Sequence, residues 1–191
     1  MGFGPQWPKG GGRSQGRHLS RAWLRPNRNA VRTVGLLVLG LIAALAARCA
    51  PQIVQGAIEG RPRLVDGDSF FVGQTEVRMQ GIDAPEGRQT CTRDGRDWRC
   101  GDEARRTLER LLGGQPIRCD IHSTDQHGRG LATCFNASGD NLNARMVAEG
   151  FAVAFGAYKS EEAEARSARR GLWASEFERP QDWRRRNNGS S

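Results

Sequence analysis

The chain has 191 residues with 29 Lys and Arg against 21 Asp and Glu, a net charge of +8, and is 37% hydrophobic and 26% charged. That length holds one medium domain with appendages and a real core, and the composition excludes a membrane bundle and a disordered polymer. Eight cations, Lys9 to Arg48, precede the first acidic residue, Glu59, which leaves 21 basic and 21 acidic residues beyond it. The excess charge therefore reads as an address on a leader, not as a binding surface spread over the domain.

Residues 1–33 are rich in Gly and Arg without apolar periodicity, and are expected to form a basic disordered region. Residues 34–47 (VGLLVLGLIAALAA) are an uncharged run of 14. A comfortable span needs about 20 residues and a secretory h-region about 7–15, so an export signal is favoured over a buried core helix. Ala44-Leu45-Ala46 offers a cleavage site, and seven upstream cations would hold the N-terminus in the cytoplasm. Cleaved signal and retained membrane anchor both stay open. Cys49 follows Arg48, which argues against a lipoprotein box. Residues 48–57 read as a linker, 58–175 as the folded domain and 176–191 as a polar C-terminal tail.

Within the domain, 58–65 reads as a strand and Asp66-Gly67-Asp68 as a turn. Residues 69–72 and 75–82 are short β-rich runs, the second alternating Val77, Met79 and Gly81 against Glu76, Arg78 and Gln80. Residues 83–100 read as loop. Asp102 is expected to cap a helix to residue 112 that buries Leu108, Leu111 and Leu112 and stops at Gly113. Strands are expected at 116–121 and 130–135, a helix bearing Leu142, Met146 and Val147 from Asn141, and another from Ser160 to Gly171. The order βββ-α-ββ-α-α suits an α+β fold, a small barrel with helices packed on it. Trp173 reads as core and Arg184-Arg185-Arg186 as a solvated tail.

Four cysteines lie in the domain, and the absence of any C-x-x-C pair argues against zinc. Two disulfides suit an oxidising compartment, with Cys91–Cys100 closing a charged loop and Cys119–Cys134 cross-linking neighbouring strands.

Asp66, Asp68, Asp83 and Glu86 fall within 21 residues, with Arg78 among them. Each has a bland reading. Asp-Gly is a hairpin signal, Asp83 precedes Ala84-Pro85 and could simply end a strand, and Arg78 and Arg129 could be solvated. Together they suggest more. Hard oxygen ligands suit Ca²⁺, a further Glu can position or deprotonate water, and two guanidinium groups can fork onto a phosphate. That combination makes a phosphodiester hydrolase site.

VDGDSF (65–70), VRMQGIDAPE (77–86) and TDQHGRGLA (124–132), followed by LNARMVAEGFA and ARSARRGLW, resemble the staphylococcal nuclease (thermonuclease) family in order and spacing. The resemblance covers about 58–174. It implies an OB-fold five-stranded barrel with three helices, and a Ca²⁺-dependent nuclease acting on DNA and RNA that leaves 3′-phosphates. By position it implies Asp68, Asp83 and the Ala84 backbone carbonyl as Ca²⁺ ligands, with Asp66 a neighbour of the metal site. It implies Glu86 acting on the attacking water, and Arg78 and Arg129 gripping the phosphate. Gln126 and His127 stand where the family has a Lys-Tyr pair near the nucleotide phosphate. Tyr158 matches one of two tyrosines flanking the nucleotide, and Gly156 replaces the other. Weaker or altered binding is therefore expected. The resulting expectation is an extracytoplasmic, monomeric enzyme that prefers single-stranded substrates. The alternative is an OB-fold binding or scaffold module in the cell envelope.

Overall fold

The computed structural model describes residues 1–2, 36–41 and 55–188. Residues 36–41 are helical, with Leu36, Leu37 and Leu39 exposed. Nearly all of the basic region 1–33, the rest of 34–47, the site at 44–46, Cys49 and most of the linker 48–57 lie outside the described residues. Among the described residues no helix is long and apolar enough to cross a membrane.

Residues 52–191 form one compact unit. In chain order its elements are β1 (Gly56–Gly60), β2 (Pro62–Leu64), β3 (Ser69–Val72), β4 (Thr75–Met79), β5 (Ile82–Asp83), β6 (Cys91–Arg93) and β7 (Arg96–Trp98). There follow α1 (Cys100–Leu112), β8 (Ile117–Thr124), β9 (Gly130–Phe135), α2 (Leu142–Ala148), β10 (Val153–Ala154) and α3 (Lys159–Ser167). A 3₁₀ turn (Gly171–Ala174) and α4 (Pro180–Asn188) complete the chain.

The first strand is broken in two at Arg61, just before Pro62, whose ring nitrogen cannot donate to a ladder. The six-stranded sheet runs β1-β8-β9-β4-β3-β2, so strands one residue apart in sequence sit at its opposite edges. Covalent continuity at Arg61 requires the sheet to curl until those edges meet. Counting β1 and β2 as one bent strand gives the five-stranded OB-like barrel and the α+β class. β4 and β9 pair in parallel, which brings the strand bearing Arg78 beside the one that follows Arg129.

Alternation on β4 buries Val77 and Met79 against Phe70, Leu108, Leu142, Met146 and Val147. The opposite face of β4 carries Arg78 toward the site. Helix α1 opens at Cys100 rather than at Asp102: Arg99 holds the cap position without a side-chain bond, and Asp102 lies in the first turn. Its stop is as expected, with Gly113 at φ 61°. The Asn141 side chain accepts the Ala144 N–H at 3.1 Å and so caps α2.

The stretch 83–100 is more ordered than a loop. β5 pairs with β10, and β6 and β7 form a hairpin whose base is closed by the Cys91–Cys100 disulfide. The second disulfide joins Cys119 to Cys134, directly opposed on β8 and β9 with Cα atoms 4.1 Å apart. Both expected pairings are present. Trp173 is only half-buried; it packs edge-on to Phe177 in a satellite cluster with Cys91, Cys100, Val153 and Leu172. Residues 180–188, expected within a polar tail, are helical.

Asn143 is fully buried and ties the barrel to α2. Its amide donates to the carbonyls of Gln80 (2.9 Å) and Ala132 (3.0 Å), and its oxygen accepts the Cys134 N–H (3.0 Å). Asn143→Ala would orphan the Cys134 N–H and the Gln80 carbonyl at about 1–3 kcal/mol each, while the Ala132 carbonyl keeps the Gln80 N–H, and is expected to cost about 2 kcal/mol or more. Urea unfolding checks this; a loss below about 1 kcal/mol would contradict it.

Candidate active site

Asp66 shapes the turn between β2 and β3. Its Oδ1 accepts the N–H groups of Asp68 (3.1 Å) and Ser69 (2.8 Å) and the Ser69 hydroxyl (2.7 Å). Its turn role is therefore real, and it lines a recess with Arg78 and Glu86. Asp68 and Asp83 are nearly inaccessible. Arg78 Nη2 bridges them, at 3.2 Å from Asp68 Oδ2 and 3.0 Å from Asp83 Oδ1. The Ala84 N–H also donates to Asp68 Oδ2 at 3.2 Å, which locks the two carboxylate-bearing segments together.

Glu86 is positioned from its backbone. Its N–H donates to Gln89 Oε1 (3.3 Å) and its carbonyl accepts the Gln89 N–H (2.7 Å). Helix α1 approaches so closely that a Cβ on Gly101 would lie 1.8 Å from the Glu86 carbonyl oxygen; only glycine fits there. Gln89 is itself fully buried and donates to the Glu178 carbonyl at 2.7 Å. No sequence signal marked it.

Arg129 is held by a residue that the sequence reading quoted only within a motif. Asp125 accepts Arg129 Nε (2.9 Å) and Nη2 (2.8 Å) on one oxygen, and the N–H groups of His127 (2.8 Å) and Arg129 (3.0 Å) on the other. Burial pushes the Asp125 carboxyl up, but these donors together outweigh it and hold the group below the usual range. Arg78, Glu86, Arg129 and His127 line one recess together with Asp66.

Arg184 is the largest departure from expectation. It does not project into solvent but enters the carboxylate cluster from α4. Nη1 lies 2.8 Å from Glu86 Oε1 and 2.9 Å from Asp83 Oδ1, and Nη2 donates to Asp83 Oδ2 at 3.0 Å. Burial works to lower its pKa, yet Glu86 and Asp83 leave it above the ordinary value.

A cleft of about 590 Å³ adjoins the recess, running from Arg78 and Asp83 past Gly156 to Tyr158. The Tyr158 hydroxyl accepts from Asn141 Nδ2 at 3.3 Å. Where Gly156 lacks a ring, its neighbour Phe155 is 59% exposed and lines the same cleft, an aromatic face that the sequence reading overlooked.

Residues 76–175, more than half of the chain, match the family described as staphylococcal nuclease homologue. The chain belongs to that family. It is 32% identical to the succinoglycan biosynthesis protein ExoI of Rhizobium meliloti over 77% of this chain and 78% of that protein. It is 35% identical to the probable staphylococcal-like nuclease CAN2 of Oryza sativa over 62% of this chain, spanning 31% of that longer protein. The probable endonuclease LCL3 of Verticillium alfalfae is 31% identical over 67% of this chain and 50% of its own length. The chain thus spans a third to a half of the length of the two relatives that carry nuclease names.

The donor set of this staphylococcal nuclease homologue suits a hard divalent ion that keeps several waters. Among the described residues no three His, Cys, Asp or Glu side chains are grouped to hold a metal, so two carboxylates are the available anionic donors. Their electrostatics favour an added cation. Burial pushes Asp68 up to about 8, against the pull of Arg78, and with help from Asp66 and Asp83. Burial also raises Asp83, although Arg184 and Arg78 pull it down. The arginines do not fully offset the desolvation of these carboxylates.

A pH dependence follows. Asp68 binds its proton more tightly when folded than when unfolded, where its pKa is about 3.9. The stability it contributes is complete below about pH 4 and is lost as pH rises through about 8. In chelator, the wild-type melting midpoint is expected to fall from pH 5 to 8 relative to Asp68→Asn. Parallel profiles for the two proteins would contradict this.

Proposed function

We propose that this protein is a Ca²⁺-dependent phosphodiesterase that cleaves DNA and RNA, single strands preferred, and leaves 3′-phosphates. The observation that carries the reading is the pairing of Asp68 and Asp83 on Arg78, beside a recess that Arg78 lines together with Glu86 and Arg129. Asp68, Asp83 and the Ala84 carbonyl would hold the ion. When bound, Ca²⁺ supplies charge neutralisation and polarises a phosphate oxygen.

The chain's own residues do the rest. Glu86 orients a water and accepts its proton as the water oxygen attacks phosphorus in line; the bond to the 5′-oxygen breaks. Arg78 and Arg129 present fixed donors to the phosphate oxygens as negative charge builds on them. Asp125 keeps Arg129 in place. Phe155 and Tyr158 offer ring faces on which unstacked bases can lie, which fits a single-stranded substrate. Two disulfides and the basic, apolar leader support an extracytoplasmic location, with the leader cleaved or retained. A single-stranded DNA oligonucleotide incubated with protein and Ca²⁺ should yield fragments ending in 3′-phosphate. Fragments ending in 3′-hydroxyl would overturn the assignment of the broken bond.

One observation favours a second reading, an OB-fold module serving polysaccharide production. A relative matched over 77% of this chain and 78% of its own carries a succinoglycan biosynthesis name. Saturable binding of oligosaccharide or DNA without any cleavage would support it against the enzyme.

A further inference from the structure

We propose that Arg184 competes with the divalent cation for Asp83, so that the C-terminal helix sets how tightly this site binds its metal. The inference rests on the reading of Asp68 and Asp83 as the cation's ligands. Both carboxylate oxygens of Asp83 are already engaged by guanidinium groups. Its Oδ1 accepts from Arg78 Nη2 and Arg184 Nη1, and its Oδ2 from Arg184 Nη2. A guanidinium fork and a dication cannot both hold the same two oxygens, since they need the same lone pairs and repel at contact distance. The same Nη1 also ties down Glu86.

The helix that delivers Arg184 is anchored independently of it. Pro180 at its start is fully buried, and Arg179 pairs with Glu162 at 3.6 Å. Upstream, Glu176 exchanges two backbone hydrogen bonds with Thr92 on the disulfide-closed hairpin, at 2.9 and 2.8 Å. The Gln89 amide holds the Glu178 carbonyl. The Arg184 side chain can therefore leave Asp83 while α4 stays docked, and at 27% exposure it has a route to solvent. Arg184 is thus a positioning residue for the metal-free site: it keeps two buried acids paired until the ion replaces it. A simple structural prop would behave oppositely, because its removal would disorder Asp83 and weaken metal binding.

The test is calorimetric titration of the full chain with Ca²⁺ alone, in wild type, Arg184→Gln and Arg184→Ala. Both variants should bind at least about tenfold more tightly, the weight of one charge-assisted hydrogen bond lost from the competing state. Arg184→Lys should fall between them and wild type, because it keeps the charge without the fork. Equal or weaker affinity in the Gln and Ala variants overturns the inference and leaves the calcium reading standing. Absence of Ca²⁺ binding in every protein overturns both. Should the variants fail to fold, Ca²⁺ is added to wild type with isotope-labelled arginine. The Arg184 Nε–H resonance should shift toward a solvent-exposed guanidinium, and an unmoved resonance at saturating Ca²⁺ overturns the proposal.

Discussion

Glu86→Gln is expected to lower kcat on single-stranded DNA about 10²–10⁴-fold, with KM changed less than about tenfold. The amide keeps the shape of the side chain and an acceptor for Arg184, and the backbone bonds to Gln89 that fix residue 86 are untouched. What is lost is the negative oxygen that takes the water's proton. Steady-state kinetics read the effect, and an unchanged melting midpoint separates it from misfolding. A variant with full kcat would remove Glu86 from the chemistry.

The second large effect is expected at Arg78. Arg78→Lys keeps a positive charge near Asp68 and Asp83 but loses the planar fork, whose Nη2 bridges both acids and whose other donors would face a phosphate. Loss of one preorganised donor to developing charge typically costs about 10²–10³ in kcat, and that is the fall expected here. Because Asp68 is almost wholly buried, Arg78→Ala would also leave it without a charged partner, at about 3–5 kcal/mol of stability, while Asp83 keeps Arg184. The lysine variant is therefore the cleaner one. Activity within about threefold of wild type would show that the arginine serves only to neutralise the acids.

The sequence was most informative where the chemistry is local. Asp66 and Asp68 share one turn; Arg78, Asp83 and Glu86 lie within nine residues across β4 and β5, so a single reading of that stretch names most of the site. The disulfides were legible for a related reason: Cys119 and Cys134 sit on neighbouring strands of one hairpin, and Cys91 and Cys100 flank a short excursion. Arg184 was not legible, because nothing local joins it to partners 98 and 101 residues away. Its helix has no apolar stripe to betray it. Pro180 at the first helical position, Asp182 in the first turn and Arg185 and Arg186 in the last were the available signals. Asn143 and Gln89 were hidden too: a polar side chain that satisfies distant backbone groups looks like any surface amide until the packing is known. The β6–β7 hairpin escaped because its charged strands carry no period-two apolar pattern, and its stability comes from the cross-link and from pairing with Glu176.

The central claim is that the two buried aspartates, Glu86 and the arginines form a metal-dependent phosphodiesterase. The most direct measurement is the rate at which the purified protein degrades denatured DNA in Ca²⁺, then after a chelator, then after Ca²⁺ in excess of the chelator. Cleavage that stops and resumes is the result expected. Cleavage that persists unchanged in chelator, or no cleavage at any Ca²⁺ concentration by the folded protein, would contradict it.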